Sequence, residues 1–195
     1  SEVIGDRAFH IEPDKISKLA NSYMLGMRKA GMSAVGKHFP GHGSVIEDSH
    51  ISIPLDNRQF DDILLQDIIP FKALIEAGIP GLMPAHITFP EIDDRPAGFS
   101  SIWLNEILRK QLKFKGTIFS DDLSMKGAET VGDYIERTVL ALEAGCDMAL
   151  VCNNREGVTY ILDNMGKIGD SKSREHLENM RGNFSFTYLE LKTRK

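Results

Sequence analysis

Cysteine is scarce in these 195 residues: there are only two, Cys146 and Cys152. Their spacing matches neither a zinc site nor a redox pair, so both are expected to be reduced core residues flanking one strand. Long apolar runs are missing as well, since no stretch approaches the ~20 residues of a membrane-spanning helix. The opening Ser1-Glu2-Val3-Ile4 lacks the charged-then-apolar layout of a secretory signal. There is no run of basic residues, and a formal net charge of −5 argues against a nucleic-acid partner. The expectation is a cytoplasmic protein with neither a membrane nor a nucleic-acid partner. What is present is ordinary for a globular protein, 42% hydrophobic and 26% charged residues, enough for a sizeable core.

The chain alternates short apolar runs with helical patterns. Runs at 33–36, 80–83, 116–119 and 148–151 read as buried strands. Between them lie helical patterns. Residues 14–30 carry Ile16, Leu19, Tyr23 and Met27 at helical spacing, and 60–77 is expected to be one helix kinked at Pro70. Residues 101–112 follow a capping serine, and 132–144 put Ile135, Val139 and Leu142 on one face. Strands alternating with helices imply an α/β fold with a parallel sheet. Each strand candidate ends in polar residues: Lys37-His38, Pro84-Ala85-His86, Ser120-Asp121-Asp122 and Cys152-Asn153-Asn154. Polar groups at every strand end favour a (β/α) barrel over a doubly wound sheet, whose ligands gather at one switch point.

The densest chemistry lies between Lys37 and His50, where Lys37-His38-Phe39-Pro40-Gly41-His42-Gly43 precedes Asp48-Ser49-His50. Three histidines, a lysine and an aspartate share a loop shaped by glycine and proline, which reads as a site rather than a connector. An imidazole titrates near neutral pH and suits acid/base work, and Asp48 is placed to orient His50. Downstream, Asp121 and Asp122 are adjacent carboxylates, and strand alternation lets only one of them face a bound ligand. His38, His42, Asp48, His50 and Asp121 also leave a metal-dependent hydrolase open. However, His-x-x-x-His spacing is missing, and Pro40 forbids a regular helix through the motif.

These motifs resemble those of the bacterial β-N-acetylglucosaminidases of glycoside hydrolase family 3. The resemblance rests on Lys37–His50, on Ile118-Phe119-Ser120-Asp121-Asp122-Leu123-Ser124-Met125, on Ile4-Gly5-Asp6-Arg7-Ala8-Phe9, and on Met83-Pro84-Ala85-His86 and Arg95-Pro96-Ala97 between them. It runs from residue 4 to about 154. It implies a (β/α)8 TIM-type barrel, with residues 1–195 forming a single incomplete catalytic domain. Only the later part of the barrel is expected here, with its N-terminal strands missing. It implies Asp121 as nucleophile, His50 as acid/base, and Arg7, Lys37 and His38 as groups that bind sugar hydroxyls. The implied reaction removes terminal non-reducing N-acetyl-β-D-glucosamine from β-1,4-linked peptidoglycan fragments, the anhydro-muropeptides of cell-wall recycling. It would proceed with retention through a covalent glycosyl-aspartate, using a small carbohydrate substrate and neither cofactor nor metal. The alternative from another class is a non-catalytic carbohydrate-binding fragment. Asp122 is expected to cap or support, His42 to shape its loop, and His86 to be either structural or a substrate contact. His10 and His176 are expected on the surface.

Overall fold

The computed structural model describes residues 4–45, 54–166, 171–183 and 187–193. A single 3-10 turn over Gly5–Arg7 leads into α1, Pro13–Lys29. Proline at the first helical position suits α1, because the nitrogen there has no intrahelical partner to lose. Then follow β1 (Val35–Phe39), α2 (Phe60–Leu65), α3 (Ile68–Glu76), β2 (Gly81–Pro84), β3 (Thr88–Phe89) and β4 (Asp93–Pro96). A π-helical segment, Ile102–Gln111, precedes β5 (Thr117–Asp122), α4 (Lys126–Glu129), α5 (Tyr134–Ala144) and β6 (Met148–Leu150). The chain continues through α6 (Arg155–Asn164), α7 (Ser171–Glu178) and α8 (Tyr188–Thr193).

The main sheet has four parallel strands in the order β1-β2-β5-β6. Each strand lies beside its predecessor in that sheet, so the order never reverses. A doubly wound sheet reverses at its switch point, whereas stepping always to the same side is how a barrel is laid down. Four strands are half the number in a closed eight-stranded barrel. Leu82 and Ile118, paired neighbours of β2 and β5, are fully buried. On the helix side Trp103 packs against Phe39 and Phe89, with ring centroids 6.0 and 5.0 Å apart, and Phe39 meets Phe71 edge-on at 5.4 Å. Burying each such ring contributes about 2–3 kcal/mol.

Several expectations need correction or addition. Cys146 is buried as expected, but Cys152, expected in the core, is exposed at the loop after β6. Residues 60–77 form two helices, broken at Gln66 and Asp67 rather than kinked at Pro70. Pro70 falls in the first turn of α3, where a missing N–H costs nothing. Arg58 ties the break down, bridging Asp56 at 2.7 Å and Asp67 at 2.8 Å. The antiparallel pair of β3 and β4 was not foreseen, because strands of two and four residues are too short to show a period. His176 is no surface residue of bland character. Its Nδ1 lies 2.8 Å from Asp147, which also pairs with Arg109 at 2.7 Å and accepts from the Ile118 N–H at 2.7 Å. Thr117 Oγ1 donates to the His176 carbonyl at 2.7 Å, so α7 is fastened beneath the start of β5.

The other helices follow their local signals. Ser100 caps the π-helical segment, its Oγ accepting from the Trp103 N–H at 3.1 Å and donating to Asp93 at 2.5 Å. Asp133 and Glu136 form a reciprocal capping box on α5, which Gly145 ends at φ 122°, a conformation suited to glycine. Among the described residues no helix is long and apolar enough to cross a membrane.

Candidate active site

Lys37, His38, Asp121 and Asp122 lie within the last residues of β1 and β5 rather than just beyond them. In β1, Phe39 turns to the helices and is fully buried, so alternation sends its neighbour His38 to the opposite face. In β5, Ser120 is buried and its Oγ accepts from the Leu150 N–H at 2.8 Å, and the next residue, Asp121, faces the other way. His38 Nε2 and Asp121 Oδ2 therefore meet, 4.0 Å apart, although β2 separates their strands. Neighbouring strands are about 4.8 Å apart, so side chains two strands apart meet over the hollow of a curved sheet. Both side chains keep limited access to solvent, 13% and 14% exposed.

Burial pushes the His38 imidazole down to about 4. Lys37, His42 and Arg7 push the same way, and Asp121 opposes them. At neutral pH the ring is uncharged, and its Nε2 faces the Asp121 carboxylate at 4.0 Å, beyond hydrogen-bond distance. The field at His38 also brings Lys37 and Arg7 into the same neighbourhood. The Lys37 side chain is exposed, and Arg7 Nε donates to the Ile4 carbonyl at 3.3 Å. His42 is buried and presents its ring edge-on to His38, with centroids 5.9 Å apart. Its loop packs closely on α3. A side chain on Gly41, at φ 155°, would strike the Asp67 carboxylate, so only glycine fits there.

Asp122 has its carboxylate occupied. Ser124 N–H donates to it at 2.9 Å, Ser124 Oγ at 2.7 Å and Cys152 N–H at 2.9 Å. Those bonds bind the end of β5 to the loop after β6, a supporting role. Sequence reasoning gave Asp122 this capping or supporting role but did not name Ser124 and Cys152 as its partners. It missed Arg137, which donates to the Leu123 carbonyl at 2.8 Å and the Gly132 carbonyl at 2.7 Å, holding the segment that follows Asp121. His86 is 1% exposed and lies under the strand ends rather than open to a ligand. Asp48 and His50 fall outside the described residues. Among the described residues, no group of three or more His, Cys, Asp or Glu side chains is gathered as metal ligands.

The described part of the site thus offers one carboxylate on β5, a neutral imidazole and a lysine on β1, and an arginine from the turn Gly5–Arg7. Comparison with known proteins gives it a family. Residues 1–179 match the model of the glycosyl hydrolase family 3 N terminal domain. A beta-hexosaminidase from Thiobacillus denitrificans is 52% identical over 182 residues, 93% of this chain and 51% of that protein. One from Idiomarina loihiensis is 58% identical over 163 residues, 84% and 49% respectively. The crystal structure of native NagZ from Neisseria gonorrhoeae superposes with a TM-score of 0.87 at 40% identity, over 98% of this chain and 54% of that one. The same gonococcal protein has been solved in complex with N-trifluoroacetyl-D-glucosamine, at 39% identity and a TM-score of 0.87. The chain spans about half the length of these relatives. Its four parallel strands are part of the TIM-barrel-like α/β fold that this domain adopts, and the chain belongs to glycosyl hydrolase family 3 through that N-terminal domain.

Proposed function

We propose that this chain supplies catalytic strand ends to a retaining β-N-acetylhexosaminidase. The observation that carries the proposal is the approach of His38 to Asp121 across β2, at 4.0 Å, on the open face of the strand ends. Asp121 acts as the nucleophile, forming a glycosyl ester that water later cleaves. A carboxylate fixed at a strand end, its Oδ1 accepting from the Asp122 N–H at 2.8 Å, needs little reorganisation to attack. His38, Lys37 and Arg7 clamp sugar hydroxyls. As a neutral ring, His38 donates a hydrogen bond without neutralising the nucleophile. His50, oriented by Asp48, protonates the leaving oxygen and then deprotonates the attacking water.

The substrate is a terminal non-reducing N-acetyl-β-D-glucosamine on β-1,4-linked peptidoglycan fragments, the anhydro-muropeptides of cell-wall recycling in the cytoplasm. The N-acylated glucosamine held by the gonococcal relative supports the sugar. The second reading is a chain that binds carbohydrate without turning it over. One assay separates the two. An aryl β-N-acetylglucosaminide is offered to this chain alone and to the chain completed with the remaining barrel of a relative. Turnover in the completed protein supports the hydrolase, and sugar binding without turnover in either supports the binding fragment.

A further inference from the structure

His86, just past the end of β2, is 1% exposed, and its ring stacks on Phe99 with centroids 5.2 Å apart and planes 12° from parallel. Its Nε2 lies 3.1 Å from the main-chain carbonyl of Asp122. A carbonyl oxygen only accepts, so Nε2 carries the hydrogen, and in the uncharged ring Nδ1 is left as an acceptor. Burial pushes the imidazole toward that uncharged form. Nδ1 has no hydrogen-bond partner among the described residues. A phenylalanine would stack on Phe99 as well without stranding a buried acceptor, so packing alone does not call for histidine here.

The nitrogen that is used grips the chain one residue beyond Asp121. The Asp122 carbonyl also accepts from the Met125 N–H at 3.1 Å, while the Asp122 N–H donates to Asp121 Oδ1 at 2.8 Å. Asp122 is thus tied on one side to the Asp121 carboxylate and on the other to the imidazole. The geometry points to His86 as a positioning residue, which holds the Asp122 carbonyl from beneath and so sets the direction in which the Asp121 carboxylate faces His38. The consequence for catalysis rests on Asp121 being the nucleophile. The grip on the carbonyl does not.

Two variants separate the ring's packing from its hydrogen bond. His86→Phe keeps the stack and loses the donor, and His86→Gln keeps a donor with less stacking. Nitrogen-15 NMR of the histidine-labelled chain is expected to find the His86 ring uncharged at neutral pH with its hydrogen on Nε2. The carboxyl-carbon resonance of Asp121 is expected to move in His86→Phe and to return toward wild type in His86→Gln. In the form of the protein that turns over the aryl glycoside, His86→Phe should lower kcat roughly tenfold or more with KM nearly unchanged. His86→Gln should recover most of that loss. A hydrogen on Nδ1, an unmoved Asp121 resonance, or equal kcat losses in both variants that follow their melting temperatures would overturn the inference. If Asp121→Asn retains turnover, the nucleophile reading fails on its own, and the two NMR readouts still decide whether His86 holds this turn.

Discussion

Acid should weaken this fold through His38 over a defined window. The folded imidazole is pushed to about 4 from an ordinary value of 6.5, chiefly by burial. Between those values the unfolded chain binds more protons than the folded one, so stability rises with pH through the window. The contribution is intact above 6.5 and is lost as the pH falls toward 4. A single group shifted this far changes the unfolding free energy by about 2 kcal/mol between pH 7 and 5, and by about 3 kcal/mol at pH 4. His38→Gln keeps a neutral polar group and removes the titration. The difference between wild type and His38→Gln isolates this effect, because the acidic groups common to both chains cancel. Urea unfolding can be followed by the fluorescence of Trp103, the single tryptophan, which is wholly buried. His38→Gln should gain about 2 kcal/mol on wild type between pH 7 and 5. Parallel stability curves would mean that His38 titrates as an exposed histidine does, and the neutral ring facing Asp121 would have to be abandoned.

Other perturbations bear on the site and its supports. Asp121→Asn, in the form that turns over, should lower kcat by at least ~10³-fold, and near-normal turnover would remove it from the mechanism. His50→Ala should harm substrates with good leaving groups less than those with poor ones, since only the latter need the proton; equal damage in a leaving-group series would leave His50 a loop residue. Asp147→Ala strands Arg109 and detaches His176, and should cost about 3 kcal/mol while exposing α7 to protease, read by urea unfolding and limited proteolysis. Ser100→Ala should cost about 1–2 kcal/mol by losing the cap on Trp103, and an unchanged unfolding midpoint would deny the cap its importance.

The strand ends were legible to within a few residues because polar residues follow the short apolar runs, Lys37-His38 after 33–36 and Ser120-Asp121-Asp122 after 116–119, although β1 and β5 run on through them. The parallel sheet followed from alternation, and helices α1 and α5 from spacing that survives without tertiary help. What escaped depended on distant partners. Asp147, Arg109 and His176 lie 29 to 67 residues apart, and nothing local marks them as one network. His86 stayed between a structural role and a substrate contact in the sequence, because the Phe99 ring and the Asp122 carbonyl that close over it are distant along the chain. The break at Asp67 came from Arg58 bridging two carboxylates, which a helical period cannot reveal.

The central claim is that a glycosyl ester forms on Asp121, and the most direct test is to look for that bond. A turning-over sample quenched in acid, digested and read by mass spectrometry should carry one N-acetylhexosamine on the peptide containing Asp121. The adduct should be missing from Asp121→Asn. Steady turnover with no adduct on that peptide, or an adduct on another residue, would contradict the account.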